Sequence, residues 1–242
     1  TMVSLGEIDI KDMIVDDSGS FILHIGGTTD SKNFLPLPKN ANMLIVRQTY
    51  TNRVSQIHAK VNIKTTSSTA TPELLTSAKL ETQLNQSLAF VSGTASTFLK
   101  WVHEFKENHK NKLPLGDQSF FQAAGGDPKI CYLHGYYELD KNECLEITTD
   151  IPDCEYWNFQ LENYWMESLD YRHYPIHINE STAILNQDKS ITINVTHLPV
   201  NLKNNLITEG RNNGAMLLRW IGATYHPIPK VLVKKLDSME IS

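Results

Sequence analysis

A run of strict alternation in the second half of the chain constrains the fold more than any other feature. Trp157, Phe159 and Leu161 are apolar, and more polar residues stand between them. Successive side chains of an extended strand point to opposite faces, so these three apolar side chains are expected to enter a core. The opposite face then carries Tyr156, Asn158, Gln160 and Glu162. Buried amides need hydrogen-bond partners. This face is therefore interpreted as the wall of a pocket that binds a polar ligand; the alternatives are an internal polar network and a solvent-facing surface.

Several other short segments are rich in β-branched and aromatic residues and are bounded by turn residues. They lie at 20–25, 43–50, 129–139, 143–148, 184–185, 190–196, 215–221 and 231–233. Turns at 140–142 and 186–189 predict two hairpins, 129–139 with 143–148 and 184–185 with 190–196. Many short antiparallel strands are typical of sandwiches and jelly rolls. We therefore predict a mainly β (α+β) protein: one jelly-roll-like antiparallel β-sandwich domain over 1–242, compatible with the C-terminal portion of a longer protein.

The stretch 71–112 has a helical period and predicts a two-helix insertion. Thr71-Pro72-Glu73 has the capping hydroxyl, first-turn proline and acid of a helix start. Ser92-Gly93-Thr94 predicts a break between the helices. The second helix is expected to carry its apolar residues on one face; these are Phe98, Trp101, Val102 and Phe105.

A weak internal repeat links the two ends of the chain. Residues 20–35 resemble 190–206: each has a serine, a short alternating β run, a polar loop, and an asparagine shortly before a leucine. Asn33 and Asn205 are the matching asparagines. The repeat predicts that one β unit occurs twice.

Charge and composition exclude several classes of protein. The net charge of −5 disfavours a nucleic-acid partner, because nucleic-acid binders carry a basic face. No apolar run is long enough to span a membrane. The three cysteines, Cys131, Cys144 and Cys154, are too few for a disulfide scaffold and are expected to be reduced. We expect a soluble, cytoplasmic protein without a cofactor, although a processed periplasmic form stays open.

The residues from Glu155 to Arg172 resemble a signature of an uncharacterised bacterial family, whose domain is the domain of unknown function numbered twelve-fourteen. The C-terminal half of that domain resembles this chain at 188–191, 205–206, 216–220 and 226–227. The upstream part of such proteins resembles this chain at 17–21, 33–36 and 46–48. The resemblance implies a β-sandwich, often beside a second domain of related type. It implies no known reaction and transfers no catalytic residue. Phe34 stands where tryptophan is expected, which favours a packing role there.

The polar face of 155–162 and nearby side chains supply the candidate ligand-binding residues. They are Tyr156, Asn158, Gln160, Tyr164 and Arg172, with Arg47 or Arg219 nearby. An arginine at a strand end suits a carboxylate or phosphate, held through two parallel hydrogen bonds. The alternative is an ion pair with an acid of the chain, such as Asp170 or Glu155. For the aromatic residues, the alternative is core packing.

Catalytic signals are weak. The chain has no nucleophile elbow and no phosphate-binding glycine loop. His134 and His173 are the only candidates for a general base, and the spacing of His173, His177 and Glu180 lacks a metal-site signature, so no metal is assigned. Three functions stay open: a small-molecule or carbohydrate binding module, a hydrolase or lyase acting on a small anionic substrate with a histidine base, and a structural domain whose open sheet edge assembles with another copy, as a homo-oligomer, or with a partner.

Overall fold

The computed structural model describes residues 4–66 and 74–239. Contacts divide the chain into two compact units. The first unit is Thr1–Thr49 with Asp117–Pro128, and the second is Tyr50–Gly116 with Lys129–Ser242. The single domain over 1–242 stays a prediction.

Along the described part of the chain, two short strands precede two helices, and eight strands follow them. In chain order they are β1 (His24–Ile25), β2 (Phe34–Leu35), α1 (Ser77–Asn108), α2 (Gln118–Ala123), β3 (Ile130–Glu138), β4 (Glu143–Thr149), β5 (Tyr156–Leu161), β6 (His177–Asn179), β7 (Ile191–Thr196), β8 (Asn205–Ile207), β9 (Asn213–Ile221) and β10 (Lys230–Lys235). Ten strands thus outnumber two α-helices in the described residues, which confirms the predicted mainly β class.

The second unit contains two four-stranded sheets. One has the strand order β3-β9-β5-β6 and is antiparallel throughout; the other has the order β10-β4-β7-β8, and its β7 and β8 are parallel. We call them the β9 sheet and the β7 sheet. Buried side chains of both sheets form one hydrophobic core, as in a sandwich. The jelly-roll detail stays a prediction.

Strand β5 shows how alternation builds this core. Trp157, Phe159 and Leu161 are almost completely buried, whereas Tyr156, Asn158 and Gln160 between them are half-buried. Burying a large apolar side chain contributes about 1.5–3 kcal/mol. The three inward residues therefore fix which face of β5 points outward, and the predicted facing of this strand is confirmed.

The predicted hairpin between 129–139 and 143–148 is wrong. The turn forms, since the amide of Glu143 donates to the carbonyl of Asp140 at 3.0 Å. However, β3 pairs with β9 in one sheet, and β4 pairs with β7 and β10 in the other. Leu133 of β3 and Ile147 of β4 both enter the shared core. The two strands bury their side chains from opposite sides of that core. Each strand therefore pairs within its own sheet, although a turn connects the two.

Two further predicted strands are absent from the part of the chain that the structure describes. Residues 43–50 and 184–185 form no ladder, and of 20–25 only β1 is a strand. Strand propensity reports how well a residue fits a paired, half-buried surface. These residues have strand propensity, but the structure places them in no strand ladder.

The internal repeat is confirmed in the backbone pairing. β1 pairs in parallel with β2, His24 opposite Phe34, and β7 pairs in parallel with β8, Asn194 opposite Asn205. In each copy, an asparagine side chain closes a loop by bonding both backbone groups of an isoleucine. Asn33 bonds Ile14 at 2.7 and 2.8 Å, and Asn204 bonds Ile184 at 2.8 Å in both directions. The equivalent of Asn33 is therefore Asn204, one residue before the predicted Asn205.

The predicted break at Ser92-Gly93-Thr94 is also wrong, because α1 runs through it without interruption. Thr76 caps the helix by accepting from the Lys79 amide at 3.2 Å; the predicted start at Thr71-Pro72-Glu73 lies outside the described residues. One glycine inside a helix costs only about 1 kcal/mol, which a long cooperative helix tolerates. Near its end, the helix buries Trp101, Val102 and Phe105, while Phe98 of the predicted face stays exposed.

Cys131, Cys144 and Cys154 are free thiols, as expected. Within the described ranges, no helix combines the length and the apolar character needed to cross a membrane.

Candidate functional site

The outer face of the β9 sheet carries polar side chains at its centre. Strand register places Arg219 opposite Tyr132 on one side and opposite Asn158 on the other, and Asn158 opposite Asn179. These four residues form a row across the four strands. Side chains directly opposite each other in a sheet lie close together, so this row is one continuous surface.

A second row lies beside the first. His134, Leu217, Gln160 and His177 occupy it, and Gln160 stands opposite both Leu217 and His177. Glu162 follows one step further along β5, where its amide donates to the carbonyl of Ala215 at 2.9 Å. We call Arg219, Asn158, Gln160 and Glu162 together the polar strip.

Arg219 is a partly buried cation at the centre of the polar strip. Its Nη1 atom donates to Asn158 Oδ1 at 3.5 Å and to Gln160 Oε1 at 3.3 Å, and both bonds are long. Across residues 4–66 and 74–239, no carboxylate lies within ion-pair distance of the Arg219 guanidinium. Burial lowers the pKa of Arg219, while Glu162 opposes this shift. A cation in this position favours the arrival of an anion.

Glu162 is a buried acid at the other end of the polar strip, with 3% of its surface exposed. Gln160 Nε2 donates to its Oε1 at 2.8 Å, while Oε2 has no hydrogen-bond partner among the described residues. Burial raises the pKa of Glu162 to about 7, although Arg219 and Gln160 both favour the ionised form. The carboxyl therefore changes charge near neutral pH.

Residues beside the polar strip are held in place by contacts within the second unit. The ring of His134 stacks on Phe105 of α1 at 4.8 Å between ring centroids, and its carbonyl is 3.1 Å from His109 Nδ1. Burial, followed by the charges of Arg219 and His109, lowers the pKa of His134 to about 3. On the β6 side, Asn179 Nδ2 donates to the Thr51 carbonyl at 2.9 Å. The strip therefore lies between α1 and the segment around Thr51.

Four predicted ligand-binding residues lie on the outer face of the β9 sheet. Tyr156, Asn158, Gln160 and Arg219 are there together, and the Tyr156 hydroxyl accepts from Asn179 Nδ2 at 3.3 Å. Tyr164, in the loop after β5, packs edge-on against Tyr136 at 6.5 Å between ring centroids.

The other two predicted arginines each pair with an acid of the chain. Arg172 lies in an exposed turn, where it binds both carboxylate oxygens of Asp170 at 2.9 Å. Arg47 belongs to the first unit and pairs with Asp127 at 2.7 Å. In both cases a local acid satisfies the guanidinium, the alternative that the sequence left open.

The two candidate bases differ in setting. His134 is buried beside the strip, and His173 is exposed in the same turn as Arg172. With its lowered pKa, His134 is neutral at physiological pH and is a weak base. No three metal-ligating side chains of the described residues are grouped around a common point.

The sequence places Glu162 on the polar face of this strand but not among the candidate ligand-binding residues, and it offers His177 only in a spacing that lacks a metal-site signature. For Glu162 a signal existed, because the alternation of Tyr156, Asn158 and Gln160 continues to it one step past the strand. For His177 the necessary fact was the pairing of β6 with β5, which no local pattern reveals.

Comparison with solved structures supports the fold. The chain is similar to an uncharacterised protein from Burkholderia cenocepacia, with 35% sequence identity and a TM-score of 0.90 over 97% of this chain. The match covers 65% of the Burkholderia chain, so this chain spans about that share of its length. A Vibrio parahaemolyticus protein matches at 13% identity and a TM-score of 0.37, over 66% of this chain and 47% of that chain. Neither a family model nor a curated protein matches the sequence.

Proposed function

We propose that the polar strip binds a small organic ligand through a carboxylate group that pairs with Arg219. The observation that supports this most strongly is the state of Arg219: it is partly buried, and no described carboxylate lies within ion-pair distance. Arg47 and Arg172 each have such a partner. Among the three predicted arginines, only Arg219 therefore keeps its capacity for an incoming anion.

The neighbours of Arg219 support a small polar ligand. Asn158 and Gln160 present amide groups beside the guanidinium, and Tyr132 and Tyr156 flank it with amphipathic rings. Binding sites commonly combine a few convergent polar groups with aromatic walls. A carbohydrate without a carboxylate would leave the charge of Arg219 unmatched, so we favour an organic acid within the binding-module hypothesis.

The two alternatives have less support. A hydrolase or lyase with a histidine base is disfavoured because His134 is neutral and buried, and His173 lies in an exposed turn. Assembly through α1 rests on its exposed apolar residues, such as Leu84 and Leu88. Membership of the family with the domain of unknown function numbered twelve-fourteen also stays a proposal, and it names no ligand.

Isothermal titration with butanoate and with glucose tests the proposal. We expect butanoate to bind, and we expect Arg219→Met to weaken it at least about tenfold, equivalent to ~1.4 kcal/mol. Lys234→Met is the matched control, because Lys234 pairs with Glu146 on the β7 sheet at 2.7 Å; this variant should bind like the parent. Equal butanoate affinity in Arg219→Met and the parent would contradict the proposal, as would binding of glucose alone.

A further inference from the structure

The buried end of the polar strip limits which organic acid fits. Glu162 Oε2 is enclosed and has no hydrogen-bond partner among the described residues. A buried polar atom without a partner costs about 1–3 kcal/mol. A ligand group that bonds this oxygen would remove that cost.

Gln160 fixes the positions of the two charged groups relative to each other. Its oxygen accepts from Arg219 Nη1 at 3.3 Å, and its Nε2 donates to Glu162 Oε1 at 2.8 Å. One amide group therefore spans the gap between the guanidinium and the carboxyl. A ligand of a few carbon atoms is long enough to contact both groups at once.

We propose that the ligand is a short hydroxycarboxylic acid, whose carboxylate pairs with Arg219 and whose hydroxyl bonds Glu162. This inference rests on the proposed function, since it adds a second contact to the anion site at Arg219. The ligand carboxylate balances the charge of Arg219, so the second group need not be charged.

A hydroxyl fits Glu162 better than an ammonium group does. Burial favours the neutral form of Glu162, and a hydroxyl can accept from a carboxylic acid or donate to a carboxylate. An ammonium group can only donate and would bring another charge into a buried position, which is costly unless it is paired.

The test compares butanoate with 2-, 3- and 4-hydroxybutanoate by titration calorimetry. We expect at least one hydroxy acid to bind about tenfold more tightly than butanoate, equivalent to ~1.4 kcal/mol, because its hydroxyl adds a hydrogen bond to Glu162 Oε2. 4-Aminobutanoate should bind more weakly than the best hydroxy acid. The inference is overturned if no hydroxy acid exceeds butanoate, or if 4-aminobutanoate binds most tightly.

Variants separate this inference from the proposed function. Glu162→Met removes both carboxyl oxygens at similar length, so it should abolish the hydroxyl advantage, measured as the ratio of hydroxybutanoate affinity to butanoate affinity within the same variant. Glu146→Gln, on the β7 sheet, is the control and should keep the advantage. A hydroxyl advantage that survives Glu162→Met overturns the inference. Absence of binding by butanoate and all hydroxy acids overturns the proposed function itself. The ligand series in the unaltered protein decides the matter even if Glu162→Met fails to fold.

Discussion

Arg219 and Glu162 are the residues whose placement costs the fold free energy. Each has a charged form that burial disfavours, and each pKa is shifted accordingly. Gln160 stands between them and bonds both, so they share a hydrogen-bonded link without forming a direct ion pair. Side chains whose pKa is strongly shifted by burial are candidates for functional roles.

Replacing Arg219 should therefore weaken binding more than it weakens folding. Arg219→Met removes two long hydrogen bonds, at 3.3 and 3.5 Å, but also removes the desolvation cost of the cation. We expect the free energy of unfolding to stay within about 1 kcal/mol of the parent value. Urea denaturation of both proteins measures this. A loss above about 3 kcal/mol would show that Arg219 is mainly a structural residue.

Glu162 should make stability depend on pH. Its pKa rises from the ordinary 4.5 to about 7 in the folded protein. Between these values the folded protein keeps a proton that the unfolded chain releases. The contribution of Glu162 to the free energy of unfolding therefore falls as pH rises from 4.5 to 7, and is constant above that.

Glu162→Gln should abolish this contribution. Between pH 4.5 and 7.5 the variant should gain stability relative to the parent, by on the order of 3 kcal/mol, because a tenfold change in proton affinity on folding corresponds to about 1.4 kcal/mol. The difference between the two proteins must be measured, because the contribution of His134 has the opposite sign. The pKa of His134 is lowered to about 3, so its contribution is lost as pH falls below the ordinary histidine value. Parallel stability curves for parent and variant would contradict the buried state of Glu162.

At the scale of elements, alternation and helical periodicity correctly predicted those features of a strand or helix that depend only on its own residues. The inward Trp157 and Phe159 fix the facing of β5, and the helical period of α1 is equally local. The hairpin between β3 and β4 failed because strand pairing depends on distant residues in two sheets. For the same reason, 43–50 has strand propensity without being a strand.

Gly93 in the helix and Gly135 in the β9 sheet differ in the space that surrounds them. Gly93 lies inside α1, and an added Cβ would meet no atom within 4 Å. Gly93→Ala should therefore raise helix stability by about 0.5–1 kcal/mol. At Gly135 on β3, an added Cβ would collide with the Lys112 carbonyl, so Gly135→Ala should lower stability.

Circular dichroism melting of both glycine variants checks this pair. A higher melting temperature for Gly93→Ala and a lower one for Gly135→Ala are expected. If Gly93→Ala destabilised the protein, α1 would not be continuous at this position.

At the scale of the whole molecule, the sequence predicted the mainly β class and the repeated β unit, because both follow from patterns repeated along the chain. It did not predict which arginine stays without an acid. Arg47, Arg172 and Arg219 look alike in sequence, and only their three-dimensional neighbours, Asp127 and Asp170 for the first two, distinguish them. The sequence predicted that Asn158 and Gln160 share one face of β5. It did not predict that Arg219 lies beside them, because this depends on the pairing of β9 with β5.

A crystal structure of the protein grown with an excess of the tightest-binding hydroxybutanoate tests the central claim most directly. We predict electron density for the ligand on the outer face of the β9 sheet, with its carboxylate against Arg219 and its hydroxyl at Glu162. Density elsewhere on the molecule, or an Arg219 guanidinium already paired with a carboxylate of the chain, would contradict the account.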